Sequence, residues 1–194
     1  MTFNLPTALT WLRIIMIPIV VGAFTVPEPW MTLETRNLLA TSVFILASLT
    51  DWLDGYLARR LGQTSAFGAF LDPVADKLLV AAALIVLVGL GRTSVWIATI
   101  IIGREIAISA LREWMANLGR ARSIAVNMLG KIKTTAQMIA IPMLLYYDPI
   151  GAVPIAGLGN VLIWVAAVLT LVSMGYYMRI ALPQLRGERS HEDS

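Results

Sequence analysis

Apolar residues along the 194-residue chain gather into six long runs, at 8–26, 36–57, 73–91, 94–117, 124–147 and 154–182. Each is near the ~20 residues that a helix needs to cross a bilayer, so the pattern predicts six membrane-spanning helices. Turn-forming stretches part the runs: "VPEPW" at 26–30, "GLGR" at 89–92, "NLGRARS" at 117–123 and "YDPIG" at 147–151. Arg13 interrupts the first run and no Lys or Arg precedes it, so it reads as a retained helix rather than a cleavable signal. Arg59, Arg60, Arg120, Arg122, Lys131, Lys133, Arg186 and Arg189 fall at alternate ends, against only Arg36 and Arg92 at the others. The excess of cations on one side places both termini in the cytoplasm. The expected organisation is a single transmembrane domain over 1–183 and a polar cytoplasmic tail over 184–194.

Composition narrows the chemistry. The chain is 58% hydrophobic and only 14% charged, which suits an all-α integral membrane protein and not a soluble domain. It has no cysteine, and its one histidine, His191, lies in the tail. Thiolate sites and cysteine nucleophiles are thereby excluded, and any metal site must be built from oxygens, as hard cations prefer. A net charge of +3 spread over many loops points to membrane contact and no nucleic acid.

Against this background one segment, "TDWLDGYLARRLGQTSAFGAFLDPVADK" at 50–77, carries four aspartates: Asp51, Asp54, Asp72 and Asp76. Asp51, Asp54, Gly55 and Ala58 recur at helical spacing and share one face, as do Asp72 and Asp76. Asp72-Pro73 reads as an N-cap followed by proline in the first turn, starting the third helix there. An aspartate at the bilayer centre costs about 2.5–3.5 kcal/mol, so the four must lie near the interface, be neutralised, or both. Arg59, Arg60 and Lys77 are the neighbouring cations. Interfacial ion pairing accounts for any one of these residues; two same-face carboxylate pairs with small residues among them fit a two-metal site for Mg²⁺ or Mn²⁺ better. Gly55, Ala58 and Gly68 leave room for a ligand to approach the backbone, or equally for helices to pack closely.

The pattern Asp51-x2-Asp54-Gly55-x2-Ala58-Arg59-x8-Gly68-x3-Asp72-x3-Asp76 resembles the signature of the CDP-alcohol phosphotransferase family at every fixed position. "FNLPTALTWLRIIMIP" at 3–18, "REIAISALREWMANLG" at 104–119 and "GKIKTTAQMIAI" at 130–141 extend the likeness over nearly the whole chain. The resemblance implies a six-helix bundle of that family's type in the bacterial inner membrane, typically homodimeric, with its active site on the cytoplasmic side. It implies one divalent ion on Asp51, Asp54 and Asp72, a second on Asp51, Asp72 and Asp76, and Asp76 as general base. The CDP group would meet Gly55, Ala58, Arg59, Ser65 and Gly68, with the segment from Asn4 to Thr10 at its border. The implied reaction moves the phosphatidyl group of CDP-diacylglycerol to sn-glycerol 3-phosphate and releases CMP.

An acceptor that carries its own phosphate requires a cationic pocket, for which Arg104, Arg112, Lys131 and Lys133 are the candidates. Glu105 and Glu113 could orient them. The same cations also serve as local ion-pair partners or positive-inside anchors. Serine, inositol phosphate and phosphatidylglycerol stand as alternative acceptors within the family. An ion or proton transporter is the alternative outside it, since intramembrane carboxylates also mark ion paths. The chain shows neither the internal repeat nor the interrupted helix pairs usual for transporters.

Overall fold

The computed structural model describes residues 5–61, 66–117 and 128–192. Six helices follow one another: α1 (Leu5–Gly22), α2 (Leu33–Leu61), α3 (Ala66–Gly89), α4 (Val95–Asn117), α5 (Met128–Tyr146) and α6 (Ile155–Glu192). The described residues hold no strand, only an isolated bridge between Ile150 and Val153 in the α5–α6 turn. All-helical architecture and helix count are those the six apolar runs predict.

Several helix starts and stops are written locally. Thr32 caps α2: its Oγ1 accepts the Thr35 backbone N–H at 3.3 Å, satisfying one of the donors a helix start leaves open. Ser94 does the same for α4 through the Trp96 N–H, also at 3.3 Å. At the end of α3, the Gly91 N–H bonds to the Val88 carbonyl and the Arg92 N–H to the Leu87 carbonyl. This paired closure needs a left-handed residue, supplied by Gly91 at φ 67°.

Three boundaries differ from the sequence reading. Helix α3 begins at Ala66, so Asp72 and Pro73 lie inside it and not at its N-cap and first turn. The apolar stretch 66–71 winds into the helix ahead of them. Pro73 removes the hydrogen bond its own N–H would have made and crowds the carbonyl one turn back, a cost helices in a packed bundle tolerate. Helix α2 runs on to Leu61, and α6 runs on to Glu192 through the segment read as a tail.

Packing joins α5 to α6 and α1 to both α2 and α3, with α2 also against α5 and α4 also against α6. The shared core includes Val20, Ala40, Phe44, Ala47, Leu84, Leu87, Ile101, Ile141, Leu144 and Ile163. Gly159 lets α6 approach α5: a Cβ there would stand 3.1 Å from both Met143 Cβ and Leu144 Cγ. Small residues at helix crossings permit such approach. The outer surface is also apolar, with Ile15, Leu38, Leu49, Ile85, Ile106, Val161 and Val168 exposed. Helices that are hydrophobic all round belong to an apolar surround.

Among the described residues, one helix segment, Ile155–Arg179, is long and apolar enough by itself to cross a membrane; Ala8–Gly22 is a shorter apolar helix. Elsewhere the uninterrupted apolar run is shortened by charged residues, such as Asp51 in α2, Asp72, Asp76 and Lys77 in α3, and Arg104 and Glu105 in α4. Those interruptions are the residues that build the site.

At the opposite end of α3, buried Arg92 ties three elements together. Its Nη1 donates to the Leu144 and Leu145 carbonyls at 3.1 and 2.7 Å, and its Nη2 to Asn37 Oδ1 at 2.7 Å. Asn37 Nδ2 in turn donates to Asp148 Oδ2 at 3.0 Å. The Arg92 guanidinium stacks 4.4 Å from the Tyr147 ring, whose backbone is left-handed at φ 66°. Burial lowers the Arg92 pKa from its ordinary value, opposed by Tyr147 and Asp148.

Candidate active site

Three helices bring the described aspartates together. Asp51 comes from α2, Asp72 and Asp76 from successive turns of α3, and Thr10 and Arg13 from one face of α1. Arg13 Nη1 donates to Asp76 Oδ1 at 2.7 Å, and Arg13 Nη2 lies 3.2 Å from Asp51 Oδ1. Thr10 Oγ1 donates to Asp72 Oδ1. One guanidinium therefore holds carboxylates from two helices, while a hydroxyl of the same helix holds a third.

Arg13 is fully buried, whereas the Asp51 and Asp76 side chains are 42% and 44% exposed. The cation forms the floor, and the carboxylates face outward from it. The sequence points to Arg59, Arg60 and Lys77 as neutralising cations and marks Arg13 only as a break in an apolar run. That break, a charge kept inside a helix of lipid-like composition, was the available signal.

Asp51 and Asp76 open onto a cavity of about 500 Å³ whose far wall comes from α4 and α5. Lys77, Arg104, Glu105, Arg112 and Gln137 line it. Arg104 is buried, 3.3 Å from Glu105 Oε1 and 3.4 Å from Ser173 Oγ of α6. Tyr177 of α6 places its ring 5.8 Å from the Arg104 guanidinium and 5.9 Å from that of Arg112, within cation–π range of both. Lys133 is buried behind the wall, where its ammonium pairs with Glu105. Of the four cations proposed from sequence, Arg104 and Arg112 thus face the cavity and Lys133 supports Glu105 from behind. Glu113 is exposed on α4. Tyr177 carried no sequence signal, because its partners lie some seventy residues earlier in the chain.

Gly68 is buried near the start of α3. The backbones of Asp54, Gly55, Ala58 and Arg59 lie in α2 and that of Lys131 in α5, but their side chains fall outside the described residues, as do Asn4 and Ser65 altogether. Among the described residues, no group of three or more His, Cys, Asp or Glu side chains is placed to hold a metal ion. The donor chemistry nonetheless suits a hard divalent cation: every candidate ligand is a carboxylate oxygen, and two of the carboxylates already converge on a positive charge.

The family model for CDP-alcohol phosphatidyltransferase matches residues 3–172. A CDP-diacylglycerol–glycerol-3-phosphate 3-phosphatidyltransferase of Sodalis glossinidius is 51% identical over 185 residues, covering 93% of this chain and 96% of the relative. Proteins of the same name from Salmonella choleraesuis and Shigella flexneri are each 50% identical, over 184 and 188 residues. These cover 93% and 95% of this chain, and 96% and 98% of the respective relatives.

Proposed function

The chain belongs to the CDP-alcohol phosphatidyltransferase family, and from that premise we propose that it transfers the phosphatidyl group of CDP-diacylglycerol to sn-glycerol 3-phosphate. The products are phosphatidylglycerophosphate and CMP, and the enzyme serves phospholipid synthesis. One observation carries the choice of site: a single cavity joins Asp51 and Asp76 to Arg104 and Arg112. A reaction between a pyrophosphate donor and a phosphorylated alcohol needs such a pairing of carboxylates with cations.

Asp51, Asp54, Asp72 and Asp76 would hold two divalent ions, Mg²⁺ or Mn²⁺. Bound there, the ions would supply positive charge for the donor pyrophosphate and the departing CMP. The residues do the rest. Asp76 takes the proton from the C1 hydroxyl of glycerol 3-phosphate as that oxygen bonds to the phosphorus bearing diacylglycerol; the bond from that phosphorus to the CMP oxygen breaks. Arg112 and Arg104 bind the acceptor's phosphate and hold its C1 end toward Asp76, with Lys131 a further candidate for this grip. Lys133 keeps Glu105 paired, so that a carboxylate in the same wall does not repel the incoming phosphate. Gly55, Ala58, Arg59, Ser65 and Gly68 accommodate the cytidine nucleotide, bordered by the segment from Asn4 to Thr10.

The same reading puts all six helices across the bacterial inner membrane, with both termini and the cavity mouth on the cytoplasmic side, in a homodimer. The apolar exterior and the asymmetry of loop cations support the topology; the homodimer follows from the family resemblance alone. Among acceptors, the cationic wall favours one that carries a phosphate over serine.

CMP release by purified protein supplied with CDP-diacylglycerol tests the assignment, with glycerol 3-phosphate, serine, inositol phosphate and phosphatidylglycerol compared in parallel. Turnover should require glycerol 3-phosphate and cease in excess chelator. Turnover with another acceptor alone would reassign the substrate, and full activity in chelator would remove the metals.

A further inference from the structure

Glycerol 3-phosphate has three polar positions, and the proposed site accounts for two: the phosphate at Arg104 and Arg112, and the attacking C1 hydroxyl at Asp76. The C2 hydroxyl has no assigned partner. A cavity wall that reads it needs a neutral polar group that is buried, faces the cavity and is not already committed.

The protons of the wall's hydroxyls are committed. Ser48 Oγ donates to the Phe44 carbonyl at 2.8 Å, Ser109 Oγ to the Glu105 carbonyl at 2.6 Å, and Thr134 Oγ1 to the Gly130 carbonyl at 2.9 Å. Glu105 is engaged by Lys133 and Arg104. Gln137 differs. It lines the cavity, is only 3% exposed, and its side-chain oxygen has no hydrogen-bond partner among the described residues. A buried amide left unsatisfied is costly, so such groups commonly mark a place where a ligand completes the bonding. Gln137 comes from α5 and lines the same cavity as the carboxylates of α2 and α3 and the arginines of α4.

We propose that Gln137 is a specificity-determining residue that hydrogen-bonds the C2 hydroxyl of the acceptor. A half-turn of the terminal amide exchanges its oxygen and NH₂, so it can accept from the hydroxyl or donate to it. The bond fixes the rotation of the three-carbon chain about its phosphate anchor and so aims the C1 oxygen. This assignment rests on the acceptor occupying the cavity as proposed above.

The test compares glycerol 3-phosphate with 3-hydroxypropyl phosphate, which lacks only the C2 hydroxyl. The unaltered protein should use the deoxy acceptor with kcat/KM lower by roughly 10- to 100-fold, because a buried amide built to meet a hydroxyl is then left unpaired. In Gln137→Leu the ratio of the two acceptors should fall close to one, with the KM for CDP-diacylglycerol unchanged. Gln137→Met, which keeps side-chain length, carries the same test where the leucine variant does not accumulate. Equal use of the two acceptors by the unaltered protein overturns the proposal, as does a variant that keeps the original ratio while losing activity overall, the mark of a packing role. Arg112→Gln separates the inference from its premise. A raised KM for both acceptors at an unchanged ratio upholds the phosphate site, leaving Gln137 to be judged by its own variants. No change in either KM removes Arg112 from the site, while a collapsed ratio in Gln137→Leu would still uphold the C2 contact.

Discussion

A guanidinium with no exposed surface is costly to bury unless anions meet it, and Arg13 meets Asp51 and Asp76 at the same time. Its two prongs set the spacing between a residue of α2 and a residue of α3, which no contact within either helix could fix. Lysine at that position keeps the charge but offers one point of attachment and no planar fork. Arg13→Lys should therefore lose one of the two bridges, and Arg13→Met both. A charge-assisted hydrogen bond contributes about 1.5–3 kcal/mol, lowered here by the partial exposure of the carboxylates. The expected outcome is a graded loss of kcat, roughly tenfold or more for lysine and larger for methionine, alongside a lowered melting temperature. Steady-state kinetics and thermal unfolding in detergent check both. Unchanged kcat in Arg13→Met would show that the aspartates are held by other groups.

The helices were legible in the sequence because each apolar run is long and bounded by turn residues. Their ends were less so, and α3 shows why. Proline after aspartate is a strong local start signal, yet α3 already runs from Ala66 and carries Pro73 in its interior. Such a dipeptide marks where a helix can start and does not stop one that begins earlier. The aspartate set was visible through its spacing, whereas Arg13, Gln137 and Tyr177 enter the site only when α1, α5 and α6 come to rest against α2–α4. Their roles depend on contacts between distant segments, which spacing along one helix cannot report. Arg92 belongs to the same class. Removing it leaves the Leu144 and Leu145 carbonyls and Asn37 Oδ1 without their donor and takes the cation from the Tyr147 ring. Arg92→Met should thus cost about 3–5 kcal/mol of stability, the scale seen when buried charged networks are broken. The measurable sign is a marked fall in melting temperature with near-normal kcat in the protein that remains folded, since this cluster lies at the end of α3 away from the site. A variant with normal stability would show that helix packing alone fixes the α5–α6 turn.

At the scale of the whole molecule, helix lengths and charge placement together determine how the bundle can sit in a membrane. At 1.5 Å per residue, α1 with its 18 residues is about 27 Å long, close to the ~30 Å hydrocarbon thickness. Helices α2 and α6, with 29 and 38 residues, are longer than that thickness and must project beyond it or tilt. In an alternating bundle both run in the same sense, and both carry charged residues in their C-terminal parts, Asp51 to Arg60 in α2 and Arg179 to Glu192 in α6. Their projecting ends therefore fall on one side, the side where Asp51 and Asp76 open to the cavity and where phosphorylated substrates arrive from water. In the topology proposed above, the positive-inside rule assigns that side to the cytoplasm. Cysteine labelling tests this without background, because the chain contains no cysteine. Glu28 and Ala152 are exposed in the loops at the other end, and Ala116 is exposed near the end of α4 on the cavity side. Glu28→Cys and Ala152→Cys should react with a membrane-impermeant thiol reagent in intact cells, and Ala116→Cys only after the membrane is opened. The reverse pattern would invert the bundle, and labelling of all three in intact cells would mean that the helices do not form a sealed six-span unit.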